Sequence, residues 1–185
     1  LALTFAIPNI SIGGHLGGDL PGEGWEGEIR RARIFARGAV SGLVDTEYKV
    51  ELALEGSSVF LNDFYLRWKP ARFADTLTVG IMDPPFGLQT LVASRSRSLM
   101  EAAAPAAAFA PGFRLGVEAA GTHSSPDLSW TVSLATIGQR QETGDASKTP
   151  IRGTARLVWR PWGEGRDLLH LGLGASATGG GDVRF

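Results

Sequence analysis

The sequence predicts an all-β fold, an antiparallel transmembrane β-barrel to which this chain contributes about nine strands. Three observations lead there. Bulky apolar side chains and charged ones alternate with period two in segment after segment, which gives each strand one oily face and one ionic face. Most of these segments approach the roughly nine to eleven residues that a tilted membrane strand needs, whereas soluble strands are typically shorter. The connections between them also fall into a long set and a short set that alternate along the chain.

Taken in order, the expected strands cover 2–12, 28–41, 45–55, 59–69, 76–83, 113–121, 127–138, 151–161 and 167–178. The first is followed by the glycine-rich run from Gly13 to Gly18, which reads as a flexible loop because it lacks the Lys-Ser/Thr of a phosphate-binding P-loop. The second places Arg31, Arg33 and Arg37 on one parity, with Phe35 between them. In the third, Tyr48, Val50, Leu52 and Leu54 oppose Glu47, Lys49, Glu51 and Glu55. In the fourth, Phe60, Phe64, Leu66 and Trp68 oppose Asp63, Tyr65, Arg67 and Lys69. The sixth carries Arg114 and Glu118 on its charged side. The eighth sets Ile151, Ala155, Leu157 and Trp159 against Arg152, Thr154, Arg156 and Arg160, and the ninth sets Leu169, Leu171 and Leu173 against His170, Gly172, Gly174 and Ser176.

Long connections at 13–27, 84–112 and 139–150 alternate with short ones at 42–44, 70–75, 122–126 and 162–166, and only 56–58 is short where a long one is due. Membrane barrels are built with long loops at one end and tight turns at the other. Trp68-Lys69-Pro70 and Trp159-Arg160-Pro161-Trp162 place indoles at the tight-turn end, where they suit a headgroup girdle or simply mark strand termination by proline. Nine strands is an odd count that leaves a bacterial barrel unclosed, so the chain is expected to be the N-terminal part of a larger barrel, or a truncated one. It begins at Leu1 without a leader pattern, which is expected of a processed protein or of a piece of a longer one.

Composition excludes several chemistries. There is no cysteine among the 185 residues, hence no disulfide framework and no thiolate nucleophile or metal ligand. His15, His123 and His170 lie far apart without metal-ligand spacing, so no catalytic residue, metal or cofactor is expected and the chain does not read as an enzyme. No apolar run is long enough for a transmembrane helix. Fifteen Arg stand against three Lys at a net charge of −1, a choice that favours forked recognition of oxyanions or reflects base composition. No nucleic-acid partner is expected.

If the charged parity faces inward, the lumen receives Arg31, Arg33, Arg37, Lys49, Arg67, Lys69, Arg114, Arg152, Arg156 and Arg160 against Glu47, Glu51, Glu55, Asp63 and Glu118. Cross-strand pairs should neutralise part of this near strand 45–55, leaving a basic surface elsewhere. Guanidinium groups along a confined passage replace an anion's hydration shell stepwise. A lumen filled by salt bridges without transport remains the alternative. Loop 84–112, with Pro84-Pro85, Arg95 and Arg97, is too long for a connector and too apolar for a solvated flap, so it is expected to fold back as a constriction. A soluble ligand-binding barrel inverts this arrangement, with the apolar parity inward and the arginines in solvent. A membrane barrel serving as a structural anchor is a further possibility.

From about Glu28 to Ser176 the chain resembles the phosphate-selective porin O and P family of bacterial outer membranes. The resemblance is carried in order by Arg30-Arg31-Ala32-Arg33-Ile34, Asp63-Phe64-Tyr65-Leu66 with Pro70, Val79-Gly80 leading into Pro85-Phe86-Gly87-Leu88, Phe109-Ala110-Pro111-Gly112 with Leu115-Gly116-Val117, and Leu169-His170-Leu171-Gly172 with Ala175-Ser176. It implies a homotrimer of sixteen-stranded barrels in the outer-membrane bilayer, taking inorganic phosphate or other small anions past an arginine ladder and an infolded third loop. On that pattern Arg30, Arg31 and Arg33 match the opening strand, and Arg95, Arg97 and Arg114 fall in and just after the loop. Scarce lysine, Phe35 on an inward parity and Ala102-Ala103-Ala104 depart from the family pattern and bear on phosphate selectivity more than on the porin fold. A general, non-selective porin is the alternative.

Overall fold

A computed structural model describes residues 9–11, 31–40, 46–55, 58–70, 73–92, 103–124, 127–136, 151–164 and 167–179. Among these, nine strands form one antiparallel sheet in which every strand pairs with its sequence neighbour. They are β1 (Asn9–Ser11), β2 (Arg31–Val40), β3 (Thr46–Glu55), β4 (Ser58–Trp68), β5 (Thr76–Met82), β6 (Arg114–Ser124), β7 (Asp127–Thr136), β8 (Ile151–Glu164) and β9 (Asp167–Gly179). The meander is open: β1 and β9 each pair on one side only among the described residues. Two short helices, α1 (Leu88–Leu91) and α2 (Ala104–Phe109), lie in the connection between β5 and β6, and Pro105 sits in the first turn of α2, where its missing N–H is not needed. None of the described helices is long and apolar enough to cross a membrane, a test that leaves strands aside.

Directly paired residues point to the same side, so the register sorts the sheet into two faces. One row runs Arg37, Lys49, Tyr65, Gly80, Gly116, Ala135, Arg152, Thr178 across β2 to β9. The adjacent row on the opposite face runs through Leu66, Val79, Val117, Leu134 and Gly153. Burial follows this sorting with the sign reversed from a water-soluble sheet. Of the buried strand residues, Glu51, Ala53, Asn62, Asp63, Thr78, Met82, Ser133, Ala135 and Thr154 lie on the polar face, and Gly121, covered by the Trp130 ring, is the exception on the apolar face. The apolar face stands open, with Phe64 55%, Leu134 58% and Leu173 70% exposed. Trp68, Trp159 and Trp162 share that open face toward the short-turn end.

Two irregularities correct the simple alternation. At β3–β4 the register slips between Glu51, which faces Asp63, and Leu52, which faces Leu61. Asn62 is the extra residue of this bulge, and beyond it the parity inverts. Phe60 therefore pairs with Ala53 on the polar face, while Val59 and Leu61 take the apolar face instead of the Phe60 expected there. The second slip lies between Trp159 and Trp162. It absorbs Arg160 and Pro161, so proline sits in a bulge and β8 continues to Glu164 where the sequence pattern ends it at 161.

The turn 73–75 is tied to β6 by one carboxylate: Asp75 Oδ2 accepts from both the Thr122 amide and its hydroxyl at 2.6 Å. The Thr122 hydroxyl and then its amide hold the Asp75 carboxyl below its ordinary value. A carboxylate whose folded value is depressed stabilises the fold fully above its unfolded value, about 3.9, and loses that contribution as pH falls through the lower folded value. The Thr122 amide resonance is therefore expected to titrate with a midpoint below about 3.9 and to become insensitive in Asp75→Asn. A midpoint at or above that value would remove the carboxylate from this role.

Candidate functional site

The polar face carries two electrostatic regions of different character. The first, on β2 to β4, is internally compensated. Arg33 Nη1 lies 3.2 Å from Glu51 Oε1, diagonally across the β2–β3 ladder, and Lys49 Nζ bridges Glu51 Oε2 at 2.9 Å and Asp63. Asn62, placed by the bulge, also turns its amide toward Glu51 Oε1 at 3.5 Å. Both carboxylates are buried, and removing one partner from such a cluster leaves a charge stranded at a cost of about 3–5 kcal/mol. The cross-strand neutralisation expected around strand 45–55 is present here.

The second region, centred on β8, has cations held by neutral acceptors. Arg152 Nε donates to Thr178 Oγ1 at 3.4 Å, and Arg156 Nη1 donates to the Phe86 carbonyl at 3.4 Å. Neither has an ion-pair partner among the described residues. Arg160 differs: its Nη2 pairs with Asp127 Oδ1 at 2.6 Å, with both side chains more than two-fifths exposed. Arg67 donates from Nε to Thr78 Oγ1 at 3.0 Å and lies 5.0 Å from the centroid of the Tyr65 ring. Beyond Arg67, which faces Glu47 on β3, the row continues through Thr78, Glu118, Ser133, Thr154 and Ser176, so Glu118 stands among hydroxyls there.

Phe86 reaches β8 from the connection that follows β5, across two intervening strands. Its carbonyl occupies the position that a side chain at Gly174 would fill, so the bare backbone of β9 makes room for this contact. Pro84, Pro85 and Pro111 at the two ends of the connection are buried. The start of the 84–112 segment thus folds onto the polar face. Arg95 and Arg97 lie outside the described residues, as does Arg30. Arg31 heads β2, with only its backbone described.

Of the remaining expected positions, Arg37 stands on the polar face without an ion-pair partner among the described residues, and Arg114 donates to the Phe113 carbonyl at 2.8 Å. The sequence pattern places Thr154 and Ser176 on the polar parity but gives no role to the hydroxyls of Thr78, Ser133, Thr154 and Ser176. Their signal was available as small polar residues recurring on the charged parity of four strands. Ser133 Oγ is buried without a hydrogen-bond partner in its row, and Thr154 and Ser176 hydroxyls lie 3.5 Å apart.

Comparison with known proteins adds one finding. The family described as phosphate-selective porin O and P matches this chain over residues 19–181. No curated protein and no solved structure matches.

Proposed function

The chain belongs to the phosphate-selective porin O and P family, a family of outer-membrane channels rather than enzymes, and on that premise we propose that it forms part of an anion-leaning diffusion pore in a bacterial outer membrane. The sheet is then a sector of a larger barrel, sixteen-stranded in the trimeric family pattern, whose polar face lines the lumen and whose apolar face meets lipid. The single observation that carries this reading is the reversed burial: glutamate, asparagine, aspartate and threonine buried, leucine and phenylalanine exposed. A soluble barrel needs the opposite sorting, because nothing would repay leaving that much apolar surface in water. In the pore reading, lipid covers it.

Small anions, inorganic phosphate among them, meet Arg152 and Arg156 as weak sequential sites. Their hydrogen bonds to a hydroxyl and a carbonyl leave the positive charge uncompensated, and several shallow sites suit conduction better than one deep one. The segment beginning at Pro84 narrows the passage by lying against β8 and β9. The compensated cluster of Arg33, Lys49, Glu51 and Asp63 argues for a second, less selective reading, a general porin, since roughly that side of the wall presents little net charge. Single-channel recording of the full-length protein in a planar bilayer separates them. Anion-selective chloride steps that phosphate blocks are expected; steps without block would leave the general porin, and absence of steps would leave a structural barrel.

A further inference from the structure

We propose that the polar face holds, between β2 and β4, a subsite for aromatic organic anions such as aryl phosphates or aryl carboxylates, a class that inorganic phosphate does not represent. This inference rests on the porin reading and deepens it. A pocket of about 480 Å³ lies there, lined on the polar side by Phe35, Arg37, Glu47, Lys49, Tyr65 and Arg67. That volume falls in the range of small-molecule sites, about 300–1,000 Å³.

Its chemistry is unlike the β8 column. Arg67 stacks at 5.0 Å over Tyr65 while its Nε is engaged by Thr78, which fixes the guanidinium plane. A planar guanidinium fixed on one ring can take a second ring on its other side, and its remaining N–H groups can reach an anionic substituent. Phe35 is the departure from charge on its parity: it stands on the polar face between Arg33 and Arg37, opposite Glu51, and offers a second apolar surface two strands away from Tyr65. Of the cations, Lys49 is consumed by Glu51 and Asp63, which leaves Arg37 and Arg67 for the ligand. Glu47, paired in register with Arg67, leaves room for one anionic group, so the preference comes from the ring, which gains contacts with Tyr65 and Phe35 that an inorganic ion of similar charge does not make.

The test is chloride current through the full-length protein in planar bilayers, titrated separately with phenyl phosphate and with inorganic phosphate. Phenyl phosphate is expected to block at about tenfold lower concentration, the scale of one cation–π or stacking contact. Phe35→Leu and Tyr65→Leu should each narrow that ratio and the pair should abolish it, while Tyr65→Phe, which keeps the ring, should retain it. Unchanged inorganic phosphate behaviour in these variants shows that the pore has assembled. Equal block by the two anions in the native protein, or a preference that survives the double substitution, overturns the subsite with the porin reading intact. Absence of any conductance instead overturns the porin reading, and the subsite falls with it.

Discussion

Val132→Arg is expected to impair insertion and assembly, and Thr131→Arg, one residue earlier on the same strand, is expected to be tolerated. Val132 pairs with Ala119 and Ala155 on the apolar face and is 45% exposed. Thr131 pairs with Ala120 and Arg156 on the polar face. Both sit near the middle of β7, so depth and neighbouring strands are matched; besides the face, the difference is that Thr131→Arg lies opposite Arg156, a like-charge pair that costs about 0.2–1 kcal/mol and is smaller than the lipid penalty. An arginine on the lipid side near the midplane costs about 2–4 kcal/mol, which is a large fraction of a typical folding free energy of about 5–15 kcal/mol. On the water-filled side it keeps its hydration. The readout is the fraction of full-length protein that folds into lipid vesicles, followed by urea titration. A soluble barrel predicts the same ranking for a different reason, with Thr131→Arg exposed to solvent and harmless and Val132→Arg buried in a core. The decisive difference is therefore lipid: in the porin reading the penalty of Val132→Arg shrinks when the same residue is placed near the strand end, as at Leu128, because the cost falls to about 0–1 kcal/mol near the interface. Equal penalties at both depths would count against a bilayer on that face.

The period-two alternation made the strands legible because every strand here has two chemically distinct environments, and a one-residue slip would move a whole face. Where the alternation itself slips, the simple reading failed. Leu61-Asn62-Asp63-Phe64 places two polar residues in succession between apolar ones, and that doubling is the visible trace of the bulge that turns Phe60 to the polar face. In the sequence pattern Pro161 marks the strand's end, since proline ends a ladder in most settings; between Trp159 and Trp162 the bulge needs no N–H from it. The candidate site was less legible than the fold. Cross-strand pairing fixes which charges can meet only after register is known: Arg33 lies opposite Ala53 and still reaches Glu51 on the diagonal. The contact of Phe86 with Arg156 joins residues far apart in sequence and carries no local pattern at all. Its enabling feature, glycine at 174, looks in the sequence like any other turn or strand glycine.

Joint replacement of Arg152 and Arg156 by glutamate is expected to turn an anion-leaning pore into a cation-leaning one, read as a change of sign in the reversal potential under a chloride gradient. Each substitution reverses a charge that no carboxylate among the described residues compensates, and the two lie on the same face of β8, on either side of Thr154. Arg160→Glu alone should do far less. Arg160 sits exposed in the bulge near the short-turn end, where solvent and salt screen the change, and breaking its pair with Asp127 costs about 0–1 kcal/mol. Arg156 needs a control of its own because its guanidinium also holds the Phe86 carbonyl, and a selectivity change could come from a displaced segment instead of a reversed charge. Arg156→Lys separates the two. Lysine keeps the charge and gives up the fork, so the reversal potential should stay on the anion side while single-channel conductance rises if the segment beginning at Pro84 loosens. A reversal potential that stays anionic in the double glutamate variant would place the selectivity elsewhere on the wall, with Arg37 and Arg67 the next positions to reverse.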